Sequence, residues 1–126
     1  MANKTQLIEI LIGAPGSGKS TYANKRVRED SNCVVISRDS YRKMMKLEFG
    51  NSTDKVEKVI TEMLYRDLLL LMNSKFNIIV DNTHCKMEVI NELMERISKY
   101  DRHLNYQVKF QIFDPTLKEL YTHIIS

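Results

Sequence analysis

Short apolar runs separated by longer amphipathic stretches are the main pattern of this chain. Apolar runs over 6–12, 33–37 and 76–81 predict buried strands of a sheet. Residues 104–112 instead alternate apolar and polar positions, which is typical of a half-exposed strand at a sheet edge. The pattern therefore predicts about four strands, with the last one at the margin of the sheet.

Helical spacing fills the intervals between these strands. It predicts helices over 18–30, 41–47, 54–74 and 87–99, and a last helix that begins at Asp114. Asp54 is placed to cap the third helix, with Glu57 as its capping-box partner, and the leucine-rich run 68–72 predicts a deeply packed helix end. Strands and helices alternate throughout. We therefore expect residues 1–126 to form a single α/β domain, a P-loop NTPase-type parallel sheet with helices on both faces.

The turn after the first predicted strand carries a phosphate-binding motif. The sequence fits G-x-x-x-x-G-K-[ST] and lies between a strand and a helix, as the motif requires. Glycines let backbone N–H groups approach a phosphate closely, and the positive N-terminus of the next helix attracts the same anion. The side chain of Lys19 would reach the β- and γ-phosphates of ATP, and the hydroxyl of Ser20 would be a ligand of Mg²⁺. The residues of the predicted loop are Gly13, Ala14, Pro15, Gly16, Ser17, Gly18, Lys19 and Ser20.

Two further polar clusters follow the second and third predicted strands. They are Ser37-Arg38-Asp39 and Asp81-Asn82-Thr83-His84. Because parallel strands end at the same edge of the sheet, we expect both clusters to join the phosphate loop in one active site. A helix-capping role for Asp39 or Asp81 is the alternative.

The cluster after the second strand indicates phosphoryl transfer to an alcohol. Asp39 is the candidate general base that accepts the hydroxyl proton. Arg42 lies one helical turn further on and is placed to hold a second anionic group by a bidentate contact. Arg38 is an alternative for that contact, or a surface residue. Asp81 directly follows an apolar run, which suits an acidic residue behind the water shell of Mg²⁺.

Together these segments resemble the 5′-kinase domain of the phage polynucleotide kinase family. That family pairs a G-x-P-G-S-G-K-S-T loop with R-D-x-Y-R, and here these segments are Gly13 to Thr21 and Arg38 to Arg42. Its later segments correspond to Asp81-Asn82-Thr83-His84 and Phe113-Asp114-Pro115. The resemblance covers nearly the whole chain. It implies transfer of the γ-phosphate of ATP to the 5′-hydroxyl of DNA or RNA, with Mg²⁺ as cofactor and a role in nucleic acid repair.

The resemblance also implies roles for individual residues. Asp39 would be the general base, Arg42 would contact the phosphate next to the 5′ nucleoside, and Lys19 would serve catalysis at the nucleotide. Thr21 would belong to the nucleotide-binding residues, and Ser20 and Asp81 would serve the metal. Either Asp81 or Asn82 fills the acidic position of the family, because the segment aligns with the family's segment in two registers that differ by one residue. The implied substrate-binding residues are Arg38, Arg42, Asp81, Asn82 and Thr83.

One departure from the family concerns the arginines of its lid. The family places these arginines shortly after the F-D-x-P segment, whereas 122–126 contain none. Such arginines accelerate transfer by several orders of magnitude, so we expect ATP binding to survive better than turnover. Three accounts stay open. The chain is a fragment, a partner subunit or second copy supplies the arginine, or the chain is a shortened homologue that binds but hardly catalyses.

Charge and composition add expectations about partners and location. The chain has 126 residues and a net charge of +3, and residues 1–50 carry nine Lys/Arg against five Asp/Glu. This bias suits a polyanionic partner, although scattered solvated lysines explain it equally well. The two cysteines have no metal-like spacing, and no apolar run is long enough to span a membrane. We expect a cytoplasmic protein without membrane contact, in the host cytoplasm if it is phage-encoded.

Two other functions compete with the polynucleotide kinase hypothesis. One is a P-loop phosphotransferase acting on a small molecule, such as a nucleoside, an antibiotic or a sugar nucleotide. The other is a weakly active module that senses nucleotides or binds a partner protein, because the chain lacks lid arginines. Edge-strand residues 106–112 are also able to pair with a second chain.

Overall fold

Four parallel strands form the centre of the fold. The computed structural model describes residues 6–14, 16–45, 53–82 and 86–113, and it describes Asn82 by its backbone alone. Within these ranges the strands are β1 (Gln6–Ile12), β2 (Cys33–Ser37), β3 (Asn77–Asn82) and β4 (Tyr106–Ile112). They lie in the order β2-β3-β1-β4. The predicted parallel sheet of about four strands is therefore confirmed, with β4 at an edge as expected.

Four helices connect and flank these strands in the described part of the chain. They are α1 (Lys19–Glu29), α2 (Arg38–Met44), α3 (Asp54–Asn73) and α4 (Met87–Tyr100). The predicted extension of the second helix to residue 47 and the helix beginning at Asp114 lie outside the described residues. None of the described helices is long and apolar enough to cross a membrane.

The start of α2 and the cap of α3 differ from the predicted ones because neighbouring hydroxyl groups cap these helices. The side chain of Ser37 accepts a hydrogen bond from the backbone of Ser40, so α2 begins three residues earlier than predicted. The side chain of Thr53 caps α3 by accepting from the backbone N–H of Val56, and Asp54 becomes the first helical residue. The prediction of Asp54 as the cap was wrong.

The fourth strand also begins later than its alternating pattern suggests. Leu104 has a positive φ of 53° and is 72% exposed, so it belongs to the turn before the strand. The carboxylate of Asp101 accepts hydrogen bonds from the backbone N–H groups of Asn105 and Tyr106, both at 2.9 Å. These two bonds fix the chain where β4 begins.

Helices cover both faces of the sheet, as predicted. The larger core joins one face of the sheet to α2, α3 and α4, and its fully buried residues are Ile8, Ile10, Ile12, Ile60, Leu68 and Ile90. The opposite face packs under α1 through Leu11, Ala23, Cys33 and Ile79. Successive β1 residues point to opposite faces, so this one strand supplies both cores.

The end of α3 is less deeply packed than its leucine run suggests. Leu68 and Met72 are buried in the larger core, whereas Leu70 is 61% exposed. A helix turns about 100° per residue, so a run of apolar residues cannot all face the sheet. The predicted deep packing was therefore wrong for the outer side of this helix.

Candidate active site

The loop between β1 and α1 is folded tightly around its glycines. Gly18 precedes α1 with a positive φ of 102°, a conformation that favours glycine over residues with a Cβ. At Gly13, an added Cβ would lie only 2.7 Å from Oγ of Ser17 and 3.0 Å from Cβ of Phe113. The backbone N–H of Ser17 also donates to the carbonyl of Ala14 at 3.2 Å. Steric contact and backbone conformation therefore both demand glycine in this loop.

This loop has the polar groups that a bound phosphate needs. Oγ of Ser17 is buried and has no hydrogen-bond partner among the residues that the structure describes. Buried hydroxyl groups are nearly always paired, so an unpaired one beside a helix N-terminus fits an anionic ligand. The first turn of α1 contains no acidic residue that would repel such an anion. Ser20 is exposed in that same turn, where its hydroxyl fits the role of a Mg²⁺ ligand beside nucleotide phosphates.

Lys19 and Asp81 form an ion pair at the start of α1. The Nζ atom of Lys19 lies 3.0 Å from Oδ1 of Asp81, and the two side chains are 4% and 18% exposed. The sheet register sets Asp81 opposite Leu11, just before the loop begins. A buried ammonium group needs a counterion, and Asp81 is a carboxylate that supplies one. Asp81 thus lies beside the predicted phosphate loop, whereas Thr83 and the side chain of Asn82 lie outside the described residues.

The second polar cluster begins at the neighbouring strand end. Ser37 is the last residue of β2 and pairs in register with Asp81 of β3. Because Ser37 caps α2, the helix starts at once and carries Asp39 and Arg42 on successive turns. Asp39 is about half exposed, at 52%. It lies inside the first helical turn and Asp81 lies within a strand, so the capping alternative was wrong for both residues.

Arg42 is held by carboxylates from two helices. Its Nη1 lies 2.6 Å from Oδ1 of Asp39. Its Nε and Nη2 donate side by side to the two carboxylate oxygens of Glu57 on α3, at 3.1 and 2.6 Å. The hydrogen bond to Glu57 is the main cause that raises the pKa of Arg42, and partial burial opposes it. The guanidinium group therefore stays charged and has a defined orientation.

The guanidinium group of Arg38 binds residues of α3. Its Nη1 donates to Oγ1 of Thr61 at 2.8 Å, and its Nη2 donates to the backbone carbonyl and the carboxylate of Glu57, both at 3.2 Å. These contacts attach α2 to α3. The sequence offered Arg38 as a second substrate contact, but its guanidinium group is engaged with α3 in this structure.

Another polar cluster, around Glu9 and not anticipated from the sequence, supports α1. Glu9 is buried in β1 at 3% exposure, accepts a short hydrogen bond from the hydroxyl of Tyr22, and lies 3.0 Å from Nε of Arg26. Tyr22 in turn packs edge-to-face against Phe113, at 5.8 Å between ring centres. Phe113 is the residue that closes on Gly13. The signal in the sequence was a lone carboxylate within an apolar strand, which required a partner.

Comparisons with known proteins agree with this architecture. A family model described as an AAA domain matches residues 8–124. Two similar solved structures are of a Pnkp1/Rnl/Hen1 complex, in one case described as an RNA repair complex. They are 28% identical, with TM-scores of 0.79 and 0.76, and cover 97% and 95% of this chain. The chain spans only 40% and 37% of those longer chains.

More distant structures share the fold alone. A candidate kinase of Chloroflexus aurantiacus is 18% identical with a TM-score of 0.63, over 86% of this chain and 59% of its own. A structure from the PezAT toxin–antitoxin system of Streptococcus pneumoniae is 22% identical with a TM-score of 0.59, over 89% of this chain and 47% of its own. Among curated protein sequences, none matches the chain significantly.

Proposed function

The chain belongs to the AAA domain family and has a P-loop kinase-like fold, and from this premise we propose that it transfers the γ-phosphate of ATP to the 5′-hydroxyl of a DNA or RNA end. One observation carries the proposal. The Lys19–Asp81 pair and the Asp39–Arg42 pair stand at neighbouring strand ends, because Ser37 is in register with Asp81 and directly precedes α2. A phosphate donor and an alcohol acceptor then have adjacent places on one sheet edge.

The donor side is the loop with Lys19. Backbone N–H groups of the loop and the N-terminus of α1 would hold the β- and γ-phosphates of ATP. The ammonium group of Lys19 would move from Asp81 onto those phosphates. Mg²⁺, when bound beside Ser20, neutralises charge on the β- and γ-phosphate oxygens. Asp81 would then orient water molecules around the metal.

The acceptor side is the first turn of α2. Asp39 would take the proton of the 5′-hydroxyl while the hydroxyl oxygen forms a bond to the γ-phosphorus. At the same time the bond between that phosphorus and the bridging oxygen of ADP breaks. The N–H groups of Arg42 that do not bind carboxylates would hold the phosphate after the 5′ nucleoside. Asp39 is 52% exposed, which leaves it open to a hydroxyl group from solution.

The similar chains support an acceptor of this class. They are 28% identical to this chain and occur in an RNA repair complex with Rnl and Hen1. A partner chain that completes the site with an arginine is the corresponding proposal here. This chain spans about two fifths of the length of those chains. The polynucleotide acceptor and the partner chain are therefore both proposals for this protein.

A small acceptor is the second candidate, and the charge balance of the site favours it. The guanidinium groups of Arg38 and Arg42 are matched by the carboxylates of Asp39 and Glu57. Such a neutralised cluster offers less attraction to a polyanion than free arginines would. Binding of a polynucleotide weakens steeply as salt rises, whereas binding of a neutral nucleoside does not. Acceptor binding measured at two salt concentrations therefore separates the two functions.

Transfer of radiolabelled phosphate from ATP tests the proposed function. The acceptors are a 5′-hydroxyl oligonucleotide, the same oligonucleotide with a 5′-phosphate, and a free nucleoside, each with Mg²⁺ and with a chelator. We expect strong label on the 5′-hydroxyl oligonucleotide, weak label on the free nucleoside and none on the 5′-phosphorylated oligonucleotide, with label lost in Lys19→Ala and Asp39→Asn. Lys25→Ala is the matched control, because Lys25 lies on the same helix and is 69% exposed. Label on the nucleoside alone would favour the second candidate, and label on neither acceptor would overturn both.

A further inference from the structure

Glu57 of α3 is the residue to which both arginines of α2 are bound. We propose that Glu57 is a positioning residue of the acceptor site. It binds Arg42 through Nε and Nη2 and leaves the remaining N–H groups of Arg42 for the acceptor phosphate. This inference rests on the proposed function, because it concerns the same acceptor site. The sequence had offered Glu57 only as part of a helix cap.

The hydrogen bonds of Arg42 show which donors stay available. A guanidinium group has five N–H donors in a planar fork. Glu57 takes one from Nε and one from Nη2, and Asp39 takes one from Nη1. Among the residues that the structure describes, these three contacts leave one N–H of Nη1 and one N–H of Nη2 for another acceptor. A phosphate has an oxygen for each of these two N–H groups, and guanidinium groups often bind phosphates through two such donors.

Glu57 is itself held in place by other residues of the fold. Nη2 of Arg38 lies 3.2 Å from its carboxylate and 3.2 Å from its backbone carbonyl. Thr61, one helical turn further along α3, accepts from Nη1 of Arg38 and donates to the same Glu57 carbonyl at 2.9 Å. The carboxylate is therefore anchored to the helix by Arg38 and orients Arg42 from there. Groups fixed before binding lose less freedom when the ligand arrives.

The same contacts allow a second interpretation, which predicts the opposite change in acceptor binding when Glu57 is removed. If the Glu57 carboxylate occupied the place of the acceptor phosphate, removing it would free Arg42 and strengthen acceptor binding. If Glu57 positions Arg42, removing it lets the guanidinium group rotate, and acceptor binding weakens. The direction of the change in the acceptor KM therefore decides between the two interpretations.

Steady-state kinetics of the purified chain with two acceptors tests the positioning role. The acceptors are a nucleoside 3′-phosphate, which offers Arg42 a phosphate, and the unmodified nucleoside, which offers none. For Glu57→Ala we expect the KM of the phosphorylated acceptor to rise about tenfold or more, by analogy with groups that orient a binding residue. The KM of the plain nucleoside and the Kd of a non-hydrolysable ATP analogue should stay within about twofold, since neither involves Arg42 in this way.

Two further variants separate positioning from loss of fold. Glu57→Gln keeps the shape of the side chain and should show a smaller change of the same sign. Glu62→Gln is the matched control, because Glu62 is an exposed residue of the same helix. Equal loss with both acceptors would show a merely structural role and overturn the inference, as would an unchanged or lowered KM for the phosphorylated acceptor. If the wild-type chain phosphorylates no 5′-hydroxyl at all, the proposed function itself is overturned, and this inference with it.

Discussion

The ammonium nitrogen of Lys19 lies 3.0 Å from Oδ1 of Asp81. The side chain of Lys19 is 4% exposed, and its positive charge is compensated within the fold by a carboxylate of β3. When a nucleotide binds, Lys19 would exchange the carboxylate of Asp81 for a phosphate. No lysine side chain would have to move from solvent into the interior of the protein. An exchange of this kind avoids the cost of removing the ammonium group from water at the moment of binding.

Replacement of Asp81 by Asn should destabilise the ligand-free protein. The change removes a carboxylate beside a buried ammonium group, and losing one partner of a buried pair costs about 3–5 kcal/mol. Asp81 is 18% exposed, so we expect a loss of about 2–3 kcal/mol in the free energy of unfolding, measured by urea denaturation. Glu29→Gln breaks the exposed Lys25–Glu29 pair and should cost less than about 1 kcal/mol. Equal losses in both variants would contradict a buried-pair role.

Replacement of Ser17 by Ala should affect stability and nucleotide binding in opposite directions. The hydroxyl of Ser17 is buried without a partner in the described part of the chain, and such a group costs about 1–3 kcal/mol. Its removal should leave the ligand-free protein equally stable or more stable. ATP binding, measured by calorimetry, should weaken because a phosphate oxygen loses a donor. A variant that is destabilised, or that binds ATP as well as the wild type, would show that the hydroxyl serves the loop and not a ligand.

The sequence predicted the sheet well because each strand has its own local signal. The apolar run 33–37 and the alternation through Val108 and Phe110 depend on which faces are buried, and burial follows the period of the residues. Glu57 could not be found in this way. Its spacing from Asp54 suited a capping box, yet its carboxylate binds Arg42, fifteen residues away in the chain. Only the packing of α2 on α3 brings such residues together.

Boundaries failed where one side chain competes with the pattern. Leu104 continues the alternation of the last strand. The carboxylate of Asp101 nevertheless accepts hydrogen bonds from the backbone of Asn105 and Tyr106, so the turn extends to the start of β4. Thr53 likewise took the cap from Asp54. In both places hydrogen bonds from one side chain to the nearby backbone set the outcome, and periodicity carries no information about them.

Stability should fall as the pH rises from about 10 to 12. Burial, and then the hydrogen bond to Glu9, raises the pKa of Tyr22 to about 12, and burial raises the pKa of Tyr106 to about 12. The folded state therefore binds these protons more tightly than the unfolded state, whose tyrosines titrate near 10. The stabilisation is complete below pH 10 and is lost as the pH passes through the folded pKa.

Denaturation curves at several pH values check this prediction. Tyr22→Phe should make the decline between pH 10 and 12 shallower, because the variant has one fewer proton to lose. Its stability below pH 10 should fall, since Glu9 then loses its hydroxyl partner. A decline as steep as that of the wild type would mean that Tyr22 does not titrate with unfolding.

Arg38 and Arg42 should separate into a structural and a functional residue. Arg38 binds Thr61 and Glu57, so Arg38→Ala should lower the free energy of unfolding by about 1–3 kcal/mol through loss of hydrogen bonds between α2 and α3. Arg42→Lys keeps the charge but loses the bidentate edge, so it should change stability by less than about 1 kcal/mol. The acceptor KM of Arg42→Lys should nevertheless rise about tenfold, which corresponds to about 1.4 kcal/mol of lost binding. Unfolding curves and acceptor kinetics measured on both variants decide the matter. If Arg38→Ala raised the acceptor KM more than Arg42→Lys did at equal ATP affinity, the two roles would have to be exchanged.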